Sequence, residues 1–387
     1  MASSFDLWLE YVLRFSHLVA GIAWIGSSFY FIWLDSSFLP PDSPRRNVEG
    51  EVFMVHGGFF YQVDKKKFYP GEVPKILHWF KWEATLTWIT GFTLLVVLYY
   101  MRGASLLVDP RVMPLSQSQA ILLSLGMLAG SWVVYDVVWK YVPWQWLSTV
   151  LSAMMFSGLV YTSTHIFSGR GSFILVGAIL GSLMLLNVWV RILPGQAKML
   201  REAQAGQIPD YSVSLKSKVR SVHNTYFIFP VLFIMLSNHY PAVYNHDLSW
   251  LLLIVLSVSG AMVRHAMVTK VPAERWVVGP AAAGLCGLVF MTSVQHTLPQ
   301  LTGVVEYAQV ESIVKTRCLA CHSNANTDDI FKVAPKGVIF DSRETILKYK
   351  EQILKQVIAD KTMPFLNKTA MTDDERAVVG RFLTQPL

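Results

Sequence analysis

The sequence predicts an all-α protein in two parts, an integral membrane bundle of about eight spanning helices followed by a small helical module. Three observations predict it. Of 387 residues, 53% are hydrophobic and only 15% charged, with 13 Trp and 22 Phe, which is a membrane composition. The apolar residues fall in long runs without period-2 alternation, so only helices are expected. Past Pro299 the composition turns polar, and a cysteine motif stands in that polar tail.

Eight apolar runs are long enough to cross a bilayer, which takes about 20 helical residues. They lie near 7–33, 82–101, 118–139, 146–167, 172–192, 224–240, 249–269 and 277–297. The sixth contains Pro230, which neighbouring helices make tolerable by re-satisfying the freed backbone groups. The N-terminus, Met1-Ala2-Ser3-Ser4-Phe5-Asp6, lacks the basic region of a cleavable signal peptide, so the first run is expected to stay in the mature protein. Residues 1–299 form the membrane domain, 300–309 a linker and 310–387 the module. In the module one helix leads into the motif. A second covers about 343–358, with Ile346, Tyr349, Ile353 and Val357 on one face. A third starts at the capping box Thr372-Asp373-Asp374-Glu375 and runs to about Thr384.

The motif is Arg317-Cys318-Leu319-Ala320-Cys321-His322. Cys-x-x-Cys-His attaches a c-type haem: the thiols of Cys318 and Cys321 reach its two vinyl groups, and His322 is the proximal iron ligand. Met363, before Pro364, is the expected sixth ligand, on an extended segment because a residue before proline is pushed out of helical geometry. A structural zinc needs four ligands, yet from residue 303 onward there is no other Cys or His. A thioredoxin-like pair needs a βαβ context that is absent. A disulfide explains neither the His nor the Met-Pro. The module is therefore expected to be a class-I-like cytochrome c domain. The remaining cysteine, Cys286, sits in an apolar run as packing.

Such haem attachment takes place on the outer face of the bacterial inner membrane, so the module is expected to be periplasmic, and eight spans then place the N-terminus outside too. The positive-inside rule agrees. Arg45, Arg46, Lys65 to Lys67, Lys140, Arg191, Lys198, Lys216 and Lys270 fall on one side, and only Arg102, Arg111 and Arg170 on the other. The formal charge of +7 is thus topology and calls for no nucleic acid.

Ionisable groups inside spans are costly and default to function. One set lies towards the inner ends: His78, Lys81 and Glu83, Asp136, Asn187 and Arg191, His223 and Asn224, Arg264 and His265. His56 in its loop can fold back to join them. The other set, in the outer half, is His17, His165, His239 and His296, with His246 in a loop. Single histidines at helix ends are commonly interfacial, and Lys81, Arg191 and Arg264 read equally as snorkelling topology signals. His17, about 15 Å deep at 1.5 Å per residue, is open to three readings: a neutral packed residue, a haem-b axial ligand, or a substrate-site base.

Several stretches carry a resemblance. They are His17-Leu18-Val19-Ala20-Gly21-Ile22-Ala23-Trp24-Ile25-Gly26, Leu77-His78-Trp79-Phe80-Lys81-Trp82-Glu83, Asn187-Val188-Trp189, and His223-Asn224-Thr225-Tyr226-Phe227 through Ser237-Asn238-His239-Tyr240-Pro241. With Met363-Pro364, Asn367-Lys368-Thr369 and Met371-Thr372 in the tail, the whole chain resembles the bacterial membrane-bound, cytochrome-c-linked urate hydroxylases of the PuuD type. The resemblance implies oxidation of urate to 5-hydroxyisourate in purine degradation. Water supplies the oxygen, and electrons pass through haem c to a soluble or membrane cytochrome c or a terminal oxidase. It implies no catalytic residues.

Common depth makes His78, Glu83, His223 and Asn224 the expected urate pocket, with one histidine as base. That pocket lies far from an outer haem. Either a haem b held by two of His17, His165, His239 and His296 bridges the gap, or urate binds on the outer side beside those histidines. Two other classes remain. A haem-c subunit of a quinol oxidoreductase predicts haem reduction by quinols but not by urate. A transporter with a redox sensor predicts related halves, and the sequence has no such repeat.

Overall fold

A computed structural model describes residues 4–67, 70, 73–101, 106–293, 301, 303–328 and 333–385. The chain is predominantly α-helical. It opens with α1 (Ser4–Ser37), then β1 (Val48–His56), β2 (Phe59–Lys66), α2 (Trp82–Leu95), α3 (Gln117–Tyr141), α4 (Gln145–Ile166) and α5 (Gly169–Leu186). After α5 come α6 (Leu193–Gln204), α7 (Tyr211–Ser237), the short α8 (Pro241–Tyr244), α9 (Ser249–Val268) and α10 (Val278–Ser293). The tail adds α11 (Tyr307–Arg317), α12 (Arg343–Lys348), α13 (Lys350–Ile353) and α14 (Asp373–Thr384).

Among the described residues seven helices are long and apolar enough to cross a membrane, which makes this a multi-pass membrane protein. The fourth expected span is present as the 22-residue α4 but is not among the seven, because its serines and threonines dilute its apolar character. Those small polar residues serve packing: Ser148 and Ser163 are buried, and Ser152 accepts a hydrogen bond from Trp139 Nε1 at 2.8 Å. Its two connections, 142–144 and 167–168, are short enough to make α3, α4 and α5 antiparallel neighbours.

Two spans run far past their expected limits. α5 passes through a widened turn, Asn187–Ile192, into α6, with Pro194 just past it, where the irregular turn accommodates a residue that lacks an N–H. α7 begins at Tyr211, capped by the Asp210 side chain on Ser212 N, and keeps Pro230 inside. α5 is the centre of the bundle. Phe173, Leu175, Val176, Ile179 and Leu180 are buried in its core, while α1 turns Phe5, Trp8, Phe15 and Ile22 outward.

The expectation of helices alone fails at 48–66. β1 and β2 pair antiparallel around Gly57-Gly58, both at positive φ (59° and 82°), the backbone that a tight hairpin turn requires. His56 is exposed at this turn and does not fold back to the inner set. Arg45 bonds Asp64 and Glu51 and fixes the hairpin's base.

The tail has its own core of Val310, Val314, Ile346, Ile353, Val357, Val379 and Phe382. Val305 belongs to that core and exchanges two hydrogen bonds with Gln385, so part of the expected linker is packed. α14 starts at the anticipated capping box. Among the described residues the tail meets the bundle where Phe365 packs on the bundle core and where Asn245 Nδ2 donates to Asp360 O at 3.4 Å.

Candidate functional site

Cys318 ends α11, and its carbonyl accepts from Cys321 N (3.1 Å) and His322 N (2.9 Å). This turn brings the backbones of Cys318, Cys321 and His322 together. His322 Nδ1 lies 2.9 Å from Val338 O. A carbonyl only accepts, so Nδ1 carries the proton and Nε2 keeps its lone pair, the usual outer-sphere arrangement of a metal-binding histidine. Met363 packs at the edge of the same core, at the turn that leads into Pro364. Its carbonyl accepts from the buried Arg376 at 2.7 Å. Arg317, beside the motif, bonds Glu375 of α14 at 2.9–3.1 Å. Two thiols, an imidazole with a free Nε2 and a thioether, beside the apolar Leu319, Phe340 and Leu354, fit a covalent haem.

A cavity of about 490 Å³ lies among α1, α2, α5 and α7. His17 lines it, with Nδ1 at 2.9 Å from Thr87 O and 3.2 Å from Thr90 Oγ1. The same reasoning puts the proton on Nδ1 and leaves Nε2 basic. Gly91 makes room for the ring: a Cβ there would stand 2.7 Å from His17 Cε1. Trp88 and Phe92, stacked at 5.0 Å, give an aromatic wall. Arg14, Arg170, Asn238 and His239 also line the cavity. Arg14 pairs with Glu10 at 2.7 Å, and Arg170 Nε donates to Asn238 Oδ1 at 2.9 Å. Arg14 and Arg170 were not anticipated as site residues. The signal for Arg14 was its position three residues before His17, on one helix face.

Those polar groups gather at one end of the bundle: early in α1, in the first turn of α5, and just past α7. The chain then enters α8 and reaches Asn245, which touches the tail at Asp360.

The inner set is arranged differently. His223 Nδ1 pairs with Tyr135 Oη at 2.7 Å, and Asn187 Nδ2 donates to Tyr135 Oη (3.0 Å) and Asn224 Oδ1 (2.9 Å). Asn224 donates to Met184 O at 2.9 Å. Asp136 is shared by Arg191 and Arg220. Tyr226 Oη meets His265 Nδ1 at 2.6 Å, and His265 Nε2 lies 3.2 Å from Glu274. The sequence pattern singles out neither tyrosine, although Tyr135 precedes Asp136 and Tyr226 lies two residues past Asn224. His78 is exposed ahead of α2, and Glu83 sits in the first turn of α2 with Oε2 buried and unpartnered. The four residues expected to form one pocket are thus not joined: His223 and Asn224 belong to the tyrosine–asparagine network, which contains neither His78 nor Glu83.

Of the outer histidines, His17 and His239 share the cavity. His165 is exposed and stacks on Tyr161 at 4.0 Å, and His246 caps Leu248 N. His296 lies outside the described residues.

Residues 3–294 match the family described as urate oxidase N-terminal. No curated protein and no solved structure matches the chain.

Proposed function

The chain belongs to the urate oxidase N-terminal family and is a membrane oxidoreductase acting on urate, and we propose that urate becomes 5-hydroxyisourate in the cavity lined by His17. One observation carries this reading: a basic nitrogen and two guanidinium groups line a cavity whose polar end adjoins the segment that meets the haem-motif tail. Of the two alternatives left open by the sequence, it favours urate on the outer side.

Urate plus water gives 5-hydroxyisourate, two protons and two electrons. Arg14 and Arg170 draw in the anionic purine, Asn238 and His239 offer further polar contacts, and Trp88 and Phe92 face the planar ring. His17 Nε2 takes the proton as water adds at the ring carbon, while Thr87 O holds the imidazole in the required tautomer. Cys318 and Cys321 would hold a haem c covalently with His322 and Met363 as its iron ligands, and the group would supply a one-electron acceptor, with a cytochrome c or a terminal oxidase as its partner. The haem-bearing tail works on the periplasmic face of a bacterial inner membrane, with α4 as the eighth span.

The test compares two variants of the purified protein. His17→Gln is expected to slow urate-driven haem reduction by about a hundredfold or more, the usual contribution of a general base. His78→Ala should leave it unchanged. A fast His17→Gln beside a slow His78→Ala would return the substrate to the inner set.

A further inference from the structure

A second cavity, of about 570 Å³, lies at the opposite end of the bundle, among the end of α3, the start of α4, α6 and the start of α7. Along α7 its residues 213–220 stand roughly 30 Å from Asn238 at 1.5 Å per residue. It therefore shares nothing with the His17 cavity.

Its lining is built for an anion. Lys140, Arg191, Lys198, Lys216 and Arg220 all face it. Arg191 and Arg220 share Asp136, and Lys198 lies 3.7 Å from Glu202. Lys140 and Lys216 are exposed and make no ion pair among the described residues. Two buried donors at the same cavity lack partners. Arg220 is 5% exposed, and its Nη1 has no hydrogen-bond acceptor, although Nη2 holds Asp136. Ser148 is 1% exposed and its Oγ is unpartnered, whereas a helical serine ordinarily bonds back to the carbonyl one turn earlier. Buried donors without acceptors are costly, and both of these belong to residues that line the cavity.

The level of the cavity bears on what brings the oxyanion. Tyr141, Trp144 and Trp146, at 60–67% exposure, ring the same ends of α3 and α4. Exposed aromatic residues at helix ends mark the headgroup layer of a bilayer. Basic pockets between spanning helices at that layer suit anionic headgroups.

We propose that this cavity binds a phosphate group, with Arg220 and Ser148 as the inner donors and Lys140 and Lys216 at the rim. The phosphate belongs to an anionic phospholipid or to a soluble phosphate, and the experiment distinguishes the two. Full-length protein, stripped of lipid in detergent, is unfolded thermally with phosphatidylglycerol, with phosphatidylcholine, and with inorganic phosphate at fixed ionic strength. A saturable rise in Tm with phosphatidylglycerol alone assigns the lipid source; a rise with inorganic phosphate assigns the soluble one. In either case Lys140→Gln/Lys216→Gln should weaken the effect about thirtyfold, each lysine contributing roughly a factor of five. Ser148→Ala should weaken it too, and urate turnover should stay unchanged in both variants. The proposal fails if no probe raises Tm saturably, or if the lysine double variant responds like the unaltered protein.

Discussion

Gly91→Ala is the most incisive perturbation of the His17 site, because it removes no polar group. The added Cβ would stand 2.7 Å from His17 Cε1 and 3.1 Å from Nδ1. Carbon atoms rest at about 3.5–4.0 Å, so the imidazole must retreat by roughly 1 Å. That movement breaks the 2.9 Å bond to Thr87 O. The stability terms oppose each other: alanine favours the helix by about 1 kcal/mol, crowding costs about 1–3 kcal/mol, and the lost hydrogen bond costs about 1 kcal/mol. The protein should therefore fold, somewhat weakened. Turnover is more sensitive, since a misplacement of about 1 Å can cost a hundredfold in rate. The assay is stopped-flow reduction of the haem by urate without oxygen, with Tm measured in parallel. Gly126→Ala, whose Cβ meets nothing within 4 Å, is the control and should be neutral. A Gly91→Ala protein that oxidises urate at full rate would refute the role given to His17.

Three further outcomes are expected. Arg170→Gln removes a cavity cation and the bond to Asn238, so KM for urate should rise about tenfold with a smaller change in kcat. Asp136→Asn leaves Arg191 and the buried Arg220 without their shared carboxylate and should destabilise the bundle by about 3 kcal/mol, read as a lowered Tm. Glu375→Gln weakens the ion pair with Arg317 but keeps the capping box, which glutamine closes equally well, at a cost of about 0.5–1 kcal/mol to the tail, seen in denaturant unfolding followed at the haem band. Burial pushes the Glu375 carboxyl up, but Arg317 and Thr372 together bring it below its ordinary value of 4.5. Its contribution is therefore complete above that value and lost as pH falls through the lower folded one, so the gap between the two proteins should close in acid.

The helical class was legible because membrane spans announce themselves by length and apolar runs, and α14 because a capping box is a local signal. The hairpin was overlooked although Gly57-Gly58 between Val- and Phe-rich runs is its sequence signature; its strands are too exposed to show a buried face. The extension of α7 back to Tyr211 escaped a reading based on hydropathy, because residues 211–223 are helical but polar. Depth along a helix is readable from sequence. Which helices face one another is not readable that way. That tertiary fact joins His17 to Arg170 and His239 in one cavity and leaves His78 outside the network of His223.

The measurement closest to the central claim is optical. The purified protein, oxidised and free of oxygen, receives urate while the haem α-band is followed and a pyridine haemochrome is taken. The account predicts reduction of a single c-type haem with two haems reduced per 5-hydroxyisourate formed. A haem that urate leaves oxidised but a quinol reduces would contradict it. A stoichiometric b-type haem would contradict the placement of urate, since the cavity of His17 and His239 would then belong to that haem.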